Sequence, residues 1–331
     1  SLKHLVSVSG GKDSTATLAL AIELHGCGNV MAVFADTGNE HESTYDYVRY
    51  LEGVAGVPFH WLKADFTAWW WSKRKFMADK WPMAHKGYPS GVAKDLISRA
   101  LAVFDRGPTG NPFLDLCIIK GRFPSRMAKF CTQYLKTEPL TEYAMELIEQ
   151  HGSVWSWQGI RLDESHSRKI RLQGTGACVK SFEVIGGGLY VFRPILRWRA
   201  SDVLAAHRVA GFKPNPLYSM GADRVGCMPC INAGKDEILN IAKRFPQHIE
   251  RIAEWESIVG EASKLGLSTF FALAADGSRP TDEEAWARGN VREVVDWSKT
   301  QRGGKMLDWI RVYEEPAACS SSFGLCEGVS A

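Results

Sequence analysis

The hexapeptide Ser9-Gly10-Gly11-Lys12-Asp13-Ser14 stands between a short apolar run, Leu5 to Ser9, and a segment of helical composition, Thr15 to Leu24. A strand that turns through two glycines into a helix makes an anion cradle. The glycines let backbone N–H groups approach, the helix start adds its positive dipole end, and Lys12 with the Ser9 and Ser14 hydroxyls adds charge and further donors. The spacing is not that of a Walker A loop, which needs four residues between its first glycine and the Gly-Lys pair. A plain strand-to-helix turn with a serine cap would account for Gly-Gly alone, not for the whole hexapeptide in this setting.

The rest of the first half repeats the strand-and-helix alternation. Val30 to Ala35 is a second apolar run, ending at Asp36-Thr37-Gly38; a helix is expected around Ser43 to Glu52 and a third strand at Phe59 to Leu62. From Phe66 to Phe130 the pattern turns irregular, with loops marked by Gly107-Pro108 and Asn111-Pro112, and reads as an insertion at about 66–130. A helix at Leu140 to His151 and strands at Val154 to Gly159 and Leu189 to Phe192 resume the alternation, which implies a parallel sheet with right-handed crossovers. Beyond Pro214 and Pro216 the composition shifts, and Ile238 to Val259 reads as helical with a break at Pro246. The expected organisation is a first domain over 1–218 and a cysteine-bearing region with helices over 219–331, folding back on it.

Lys and Arg number 40 against 37 Asp and Glu, a formal +3, so contact with nucleic acid would have to be local. No apolar run nears the ~18 residues that span a bilayer, and Ser1-Leu2-Lys3-His4 is not followed by a signal-peptide core. The expectation is a cytoplasmic chain with no membrane partner. In such a reducing compartment closely spaced cysteines, among the eight present, point to metal or thiol chemistry rather than disulfides.

Further motifs follow in order: Asp36-Thr37-Gly38-Asn39-Glu40 with Thr44; Cys131-Thr132 with Leu135-Lys136 and Pro139-Leu140; and Gly159-Ile160-Arg161 with Glu164-Ser165 and Arg168. Arg193-Pro194-Ile195, Asn215-Pro216-Leu217-Tyr218 and Arg224-Val225-Gly226-Cys227-Met228-Pro229-Cys230 complete the set. With the phosphate loop, these make the chain resemble the PP-loop ATP pyrophosphatases and, within them, the PAPS reductase-like family, over most of its length. The resemblance implies a Rossmann-like α/β fold of the HUP, adenine nucleotide alpha hydrolase-like type, a parallel sheet with helices on both faces. ATP with Mg2+, or an adenylyl sulfate, would lie across the carboxyl ends of the strands. Ser9 to Ser14 would then hold phosphates and Asp36, Thr37 and Gly38 would lie near the adenosine. Lys12, Lys136, Arg161 and Arg168 would stabilise charge on a phosphoryl or leaving-group oxygen.

Cys227 and Cys230 form a CxxC, and Cys319 and Cys326 a wider pair near the end. Four thiolates suit tetrahedral zinc or an iron-sulfur cluster equally, and CxxC alone does not choose. The resemblance favours a 4Fe-4S cluster over Zn2+: the assimilatory reductases hold one through a Cys-Cys pair and a later CxxC. Here Cys131 matches the first of that pair and Thr132 replaces the second. Cys319 or Cys326 would supply the fourth ligand, or the iron would stay open to bind sulfide; a set of Cys227, Cys230, Cys319 and Cys326 is the competing arrangement. Cys27, Cys117 and Cys178 read as ordinary thiols.

Within the insertion, Trp69 to Lys86 carries four Trp and five Lys or Arg against a single acid, Asp79. Such a stretch can stack bases and neutralise phosphates, or form a substrate lid. The favoured reading is an amphipathic helix whose tryptophans pack on the sheet while its lysines are solvated, because three consecutive residues, Trp69-Trp70-Trp71, cannot all lie on one helical face and some must be buried.

The resemblance offers two enzymatic readings. One is an ATP-dependent sulfurtransferase that adenylates an acceptor, releases pyrophosphate and then transfers sulfur from a donor; DNA, tRNA and small molecules all stand as acceptors. The other is an adenylyl sulfate reductase using a tail thiol. Lys12 weakens the second, since a sulfonucleotide has no β and γ phosphates. So does the tail, which reads Phe323-Gly324-Leu325-Cys326 and so places Phe323 where that family's nucleophile stands. A third reading is a non-catalytic nucleotide-binding module of a DNA-modification or defence system.

Overall fold

The computed structural model describes residues 3–85, 88–164, 169–170, 172, 174–184, 187–271 and 281–300. They fall into two compact units: 3–63 with 132–228, and 64–131 with 229–300.

The first unit is built on a six-stranded sheet. Its strands are β1 (Lys3–Ser7), β2 (Val30–Asp36), β3 (Phe59–Lys63), β4 (Ser153–Trp157), β5 (Cys178–Val184) and β6 (Gly187–Phe192), in the order β3-β2-β1-β4-β6-β5. Five run parallel, and β5 pairs antiparallel with β6 at the edge. Strand alternation sorts the apolar residues onto two faces. Leu5, Val33, Val154 and Leu189 pack with Leu140, Ala144, Leu147 and Ile148 of helix Glu138–His151. Val6, Ala32, Phe34 and Trp157 face the other way, onto helices Lys12–His25 and Glu42–Val54. Helices therefore cover both faces, as a parallel sheet requires. Each strand expected from the apolar runs is present within a few residues. The edge strand β5 was not expected, because Cys-Val-Lys-Ser-Phe-Glu-Val interleaves polar residues and has no apolar run to announce it.

The second unit is helical: Thr67–Lys80 as favoured for the triple Trp, Lys94–Asp105 and Pro112–Lys120 where the sequence reads as irregular, Lys235–Arg244 and Pro246–Glu261 as expected with the break at Pro246, and then Asp282–Gly289 and Val291–Ser298. Asn111-Pro112 is not a loop mark but a helix start. Asn111 accepts the Leu114 N–H and Pro112 takes the first helical position, where it has no hydrogen bond to lose. The triple Trp divides as helix geometry demands. Trp70 is fully buried, not on the sheet as expected but against Phe104 of helix Lys94–Asp105, to whose carbonyl it donates its indole N–H; Trp69 is partly buried and Trp71 is exposed. Among the described residues no helix is long and apolar enough to cross a membrane.

His4 on β1 is buried, stacks on His25 with ring centroids 3.7 Å apart and accepts the Trp157 indole N–H at Nδ1, 3.0 Å away. Burial first, and then the proximity of His25, push its pKa down to about 4. The unfolded chain binds this proton near pH 6.5 and the folded one does not until about 4. This histidine therefore makes stability fall as pH drops through that window. An NMR titration should find the His4 ring neutral at pH 5.5, and a ring already half-protonated at pH 6.5 would contradict the packing.

Candidate functional site

The phosphate loop leaves β1 and enters helix Lys12–His25. Gly10 turns the chain at φ +75°, and a Cβ there would come 2.7 Å from Thr44 Cγ2, so only glycine fits. The serines brace the loop: Ser14 Oγ donates to the Gly11 carbonyl at 3.0 Å and accepts the Ser9 N–H at 3.1 Å. The helix start has no side-chain cap of its own. Instead the Lys12 N–H donates to the Tyr218 hydroxyl at 3.0 Å, and Asn215 Nδ2 donates to the Gly10 carbonyl at 3.0 Å. His207, on helix Ala200–Ala210, donates from Nε2 to the Lys12 carbonyl at 2.7 Å. Nothing in the sequence spacing connects residues 207, 215 and 218 to residue 12. Asn215 and Tyr218 stand in a stretch that carries the family resemblance, but their partners emerge only from the fold.

Asp13 is buried one residue inside the helix and is the centre of the site's charge. It accepts from Lys12 Nζ at 3.0 Å and from Arg161 Nε at 2.5 Å. Burial acts to raise its pKa, but a hydrogen bond with Glu164 and the charges of Lys12 and Arg161 outweigh it and hold the carboxyl below its usual range. Arg161 is only 4% exposed and also donates to the Trp198 carbonyl. It comes from the loop after β4, where Gly159 lies against the phosphate loop so closely that a Cβ would sit 2.7 Å from Asp13 C and Ser14 N. From β1 the chain runs to β2 and β3 on one side of the sheet and then returns to β4 on the other. The contact of Asp13 with Arg161 thus sits at the reversal of strand order, where open α/β sheets bind ligands.

A second loop follows β2. The Gly38 N–H donates to Asp36 Oδ1 at 2.9 Å, and Thr37 donates to Glu40 from Oγ1 at 2.7 Å. The Tyr45 hydroxyl, 2.8 Å from Asp36 Oδ1 and 3.1 Å from Glu40 Oε2, donates to this carboxylate pair. Burial, then Glu40 and Asp36, push that phenol far above its ordinary pKa, so it stays a donor. Cys227 packs on this loop: it forms an antiparallel bridge with Glu40, and its Sγ lies 3.6 Å from Thr37 Oγ1 and 3.8 Å from Glu40 Oε1.

Of the other sequence candidates, Lys136 lies in a π-helical turn, Gln133–Thr137, a distortion frequent at functional sites. Cys227 belongs to the first unit, and Cys230 and Cys131 to the second. Cys230 is buried and its Sγ accepts the Asn232 N–H at 3.5 Å, a contact that suits a thiolate. Cys117 is wholly buried and its thiol is pushed up, the state of an inert core cysteine. Arg168, Cys319 and Cys326 lie outside the described residues.

The model of the phosphoadenosine phosphosulfate reductase domain family matches residues 3–86 and 119–233. The chain belongs to this family. Within the PP-loop superfamily it is therefore a PAPS reductase-like, nucleotide-binding protein. An uncharacterized 37.8 kDa protein of Escherichia phage 186 is 42% identical to it, over 98% of this chain and 96% of its own. A 7-cyano-7-deazaguanine synthase of Chromobacterium violaceum is 44% identical over 55 residues, 17% of this chain and 24% of its own. A phosphoadenylyl-sulfate reductase of Candida auris, in a phosphate complex, aligns over 69% of this chain and 82% of its own, at 16% identity and a TM-score of 0.38, too loose to place residues.

Replacing Arg161 with Met should destabilise the fold by about 3 kcal/mol at neutral pH, because it leaves a buried carboxylate short of its closest cation. Asp13 titrates lower in the folded state, so its contribution is present above the unfolded carboxylate pKa and is lost as pH falls through the folded one. The gap between wild type and Arg161→Met in urea melts should therefore narrow below about pH 4. A gap independent of pH would remove the ion pair from the account.

Proposed function

We propose that the chain is an ATP-dependent sulfurtransferase that adenylates an acceptor oxygen, releases pyrophosphate and then exchanges that oxygen for sulfur, releasing AMP. The observation that carries the reading is the pairing of an intact phosphate loop with a thiol in one unit. Lys12 stands at the helix start, and Cys227 is packed on the loop at the carboxyl end of the neighbouring strand β2. A lysine in the phosphate loop suits β and γ phosphates, which a sulfonucleotide lacks, and this favours ATP over the reductase substrate.

In this reading the backbone N–H groups of the loop, with Lys12 and Mg2+, receive the β and γ phosphates and stabilise pyrophosphate as the α-phosphorus–oxygen bond breaks. The Tyr218 hydroxyl gives up the Lys12 N–H to the incoming anion. Lys136 and Arg168 would, on the resemblance, neutralise charge at the α phosphate. Arg161 works from behind Asp13, fixing the carboxylate that orients Lys12. Asp36, Thr37 and Gly38 border the adenosine. Glu40 takes the Cys227 proton. Cys227 and Cys230 would hold a 4Fe-4S cluster, or Zn2+, with Cys131, Cys319 and Cys326 as the candidates for the remaining ligands. The soft donor set and the N–H bond to Cys230 suit either metal. Such a centre, when bound, supplies a site for sulfide.

The reductase reading keeps one argument, the description of the matched family itself.

Calorimetry with ATP and with AMP separates the parts of the nucleotide site. Lys12→Ala should weaken ATP binding by about tenfold or more and leave AMP binding unchanged. Equal ATP affinity in the two proteins would overturn the assignment. Anaerobically purified protein should carry iron or zinc at near-stoichiometric amounts, lost in Cys227→Ser and in Cys230→Ser. Metal retained in both variants would remove the CxxC from the site.

A further inference from the structure

The second unit carries a cationic surface that packing does not explain. On helix Thr67–Lys80, Trp69, Lys73, Phe76 and Lys80 follow at i, i+4, i+7 and i+11, so ring and ammonium alternate along one face for about 16 Å. Lys73 Nζ lies 5.5 Å from the centroid of the Phe76 ring and 5.8 Å from that of Trp81. Lys264 brings a second ammonium over the same Trp81 ring, at 5.6 Å, and its Nζ is 2.8 Å from His85 Nε2. Lys120 stands over Trp69 at 4.5 Å.

Cations gathered in this way repel one another. Among the described residues no ion pair joins Lys73 or Lys264 to a carboxylate. Burial, then Lys264 and Lys120, lower the Lys73 pKa. Trp81 is only 2% exposed and its indole N–H has no hydrogen-bond partner. The cluster therefore has several donors and positive charges, and an anion among them would relieve the repulsion. Beside it, Phe76 holds its ring 50% exposed. A phosphopeptide or free phosphate would use the charges and leave this ring idle, and a duplex has its bases already stacked. Phosphates flanked by unpaired bases use both features.

We propose that this surface binds single-stranded nucleic acid, seating a backbone phosphate among Lys73, Lys264 and Lys120 and stacking an unpaired base on Phe76. As the identity of the acceptor, this rests on the sulfurtransferase reading; as binding, it stands by itself.

The test is fluorescence anisotropy on the full chain, with a labelled single-stranded oligonucleotide of about 15 nucleotides over a range of salt concentrations. The duplex of the same sequence and a phosphopeptide serve as competitors. Wild type should prefer the single strand. Lys73→Gln with Lys264→Gln should weaken binding at least tenfold and flatten the dependence of log K on log salt by about 0.7, the equivalent of the one phosphate contact they share. Phe76→Ala should weaken binding about tenfold with the slope unchanged. Folding does not confuse the result. Lys73→Gln removes a charge that burial disfavours, so its melting temperature should match or exceed wild type, and Phe76 is half exposed. Unchanged affinity in the double variant, equal binding of the duplex, or competition by the phosphopeptide alone would each overturn the proposal. ATP affinity measured on the same samples separates the two readings. Oligonucleotide binding without ATP binding would refute the sulfurtransferase and leave this surface standing, and the reverse would do the opposite.

Discussion

The organisation of the first unit depends on one buried ion pair, Arg161 with Asp13. Asp13 belongs to the first turn of the helix after β1 and Arg161 to the loop after β4, so their bond ties together the two loops between which an open sheet presents its ligand site. It also sets the local charge. Burial by itself pushes the Asp13 pKa up; Glu164, Lys12 and Arg161 around it more than offset this, so Asp13 is held below its usual range and pairs with the Lys12 ammonium 3.0 Å away. Glycine at 159 is the steric condition for this bond, since any side chain there would strike the backbone of Asp13.

Around that pair the site is already assembled and partly self-satisfied. Tyr218 occupies the Lys12 N–H, Asn215 and His207 hold the carbonyls of Gly10 and Lys12, and the two serines brace each other. A loop fixed by its own hydrogen bonds pays little reorganisation when an anion arrives, and this preorganisation gives such cradles their strength. The neighbouring loop of Asp36 to Glu40 is held in the same way, by Tyr45 across two carboxylates, and it brings Cys227 to the carboxyl end of the sheet. A nucleotide loop and a thiol thus share one scaffold.

Much of this was legible in the sequence because it is local. Apolar runs ending in Ser-Gly-Gly-Lys-Asp-Ser and Asp-Thr-Gly announce strands β1 and β2 and the loops after them, and helix Glu138–His151 shows its periodicity openly. What escaped depends on contacts far apart in the chain. Asp13 and Arg161 are 148 residues apart, and Lys12 and Tyr218 are 206 apart. Arg161 was expected to face substrate and is found buried against Asp13, something no spacing rule reveals. Two helices between 94 and 120 were read as irregular because proline and glycine there look like loop marks, although Pro112 in fact opens a helix. β5 was missed because an edge strand need not be apolar.

In the proposed reaction the cradle of Ser9 to Ser14 serves cleavage of ATP between its α and β phosphates, with sulfur transfer to follow. Phosphorus NMR of the metal-loaded protein turning over ATP with a sulfide source and single-stranded nucleic acid reads that cleavage out. AMP and pyrophosphate should form in equal amounts, and only when the acceptor is present. ADP and phosphate as the products, or release of sulfite from an adenylyl sulfate with ATP left intact, would contradict it.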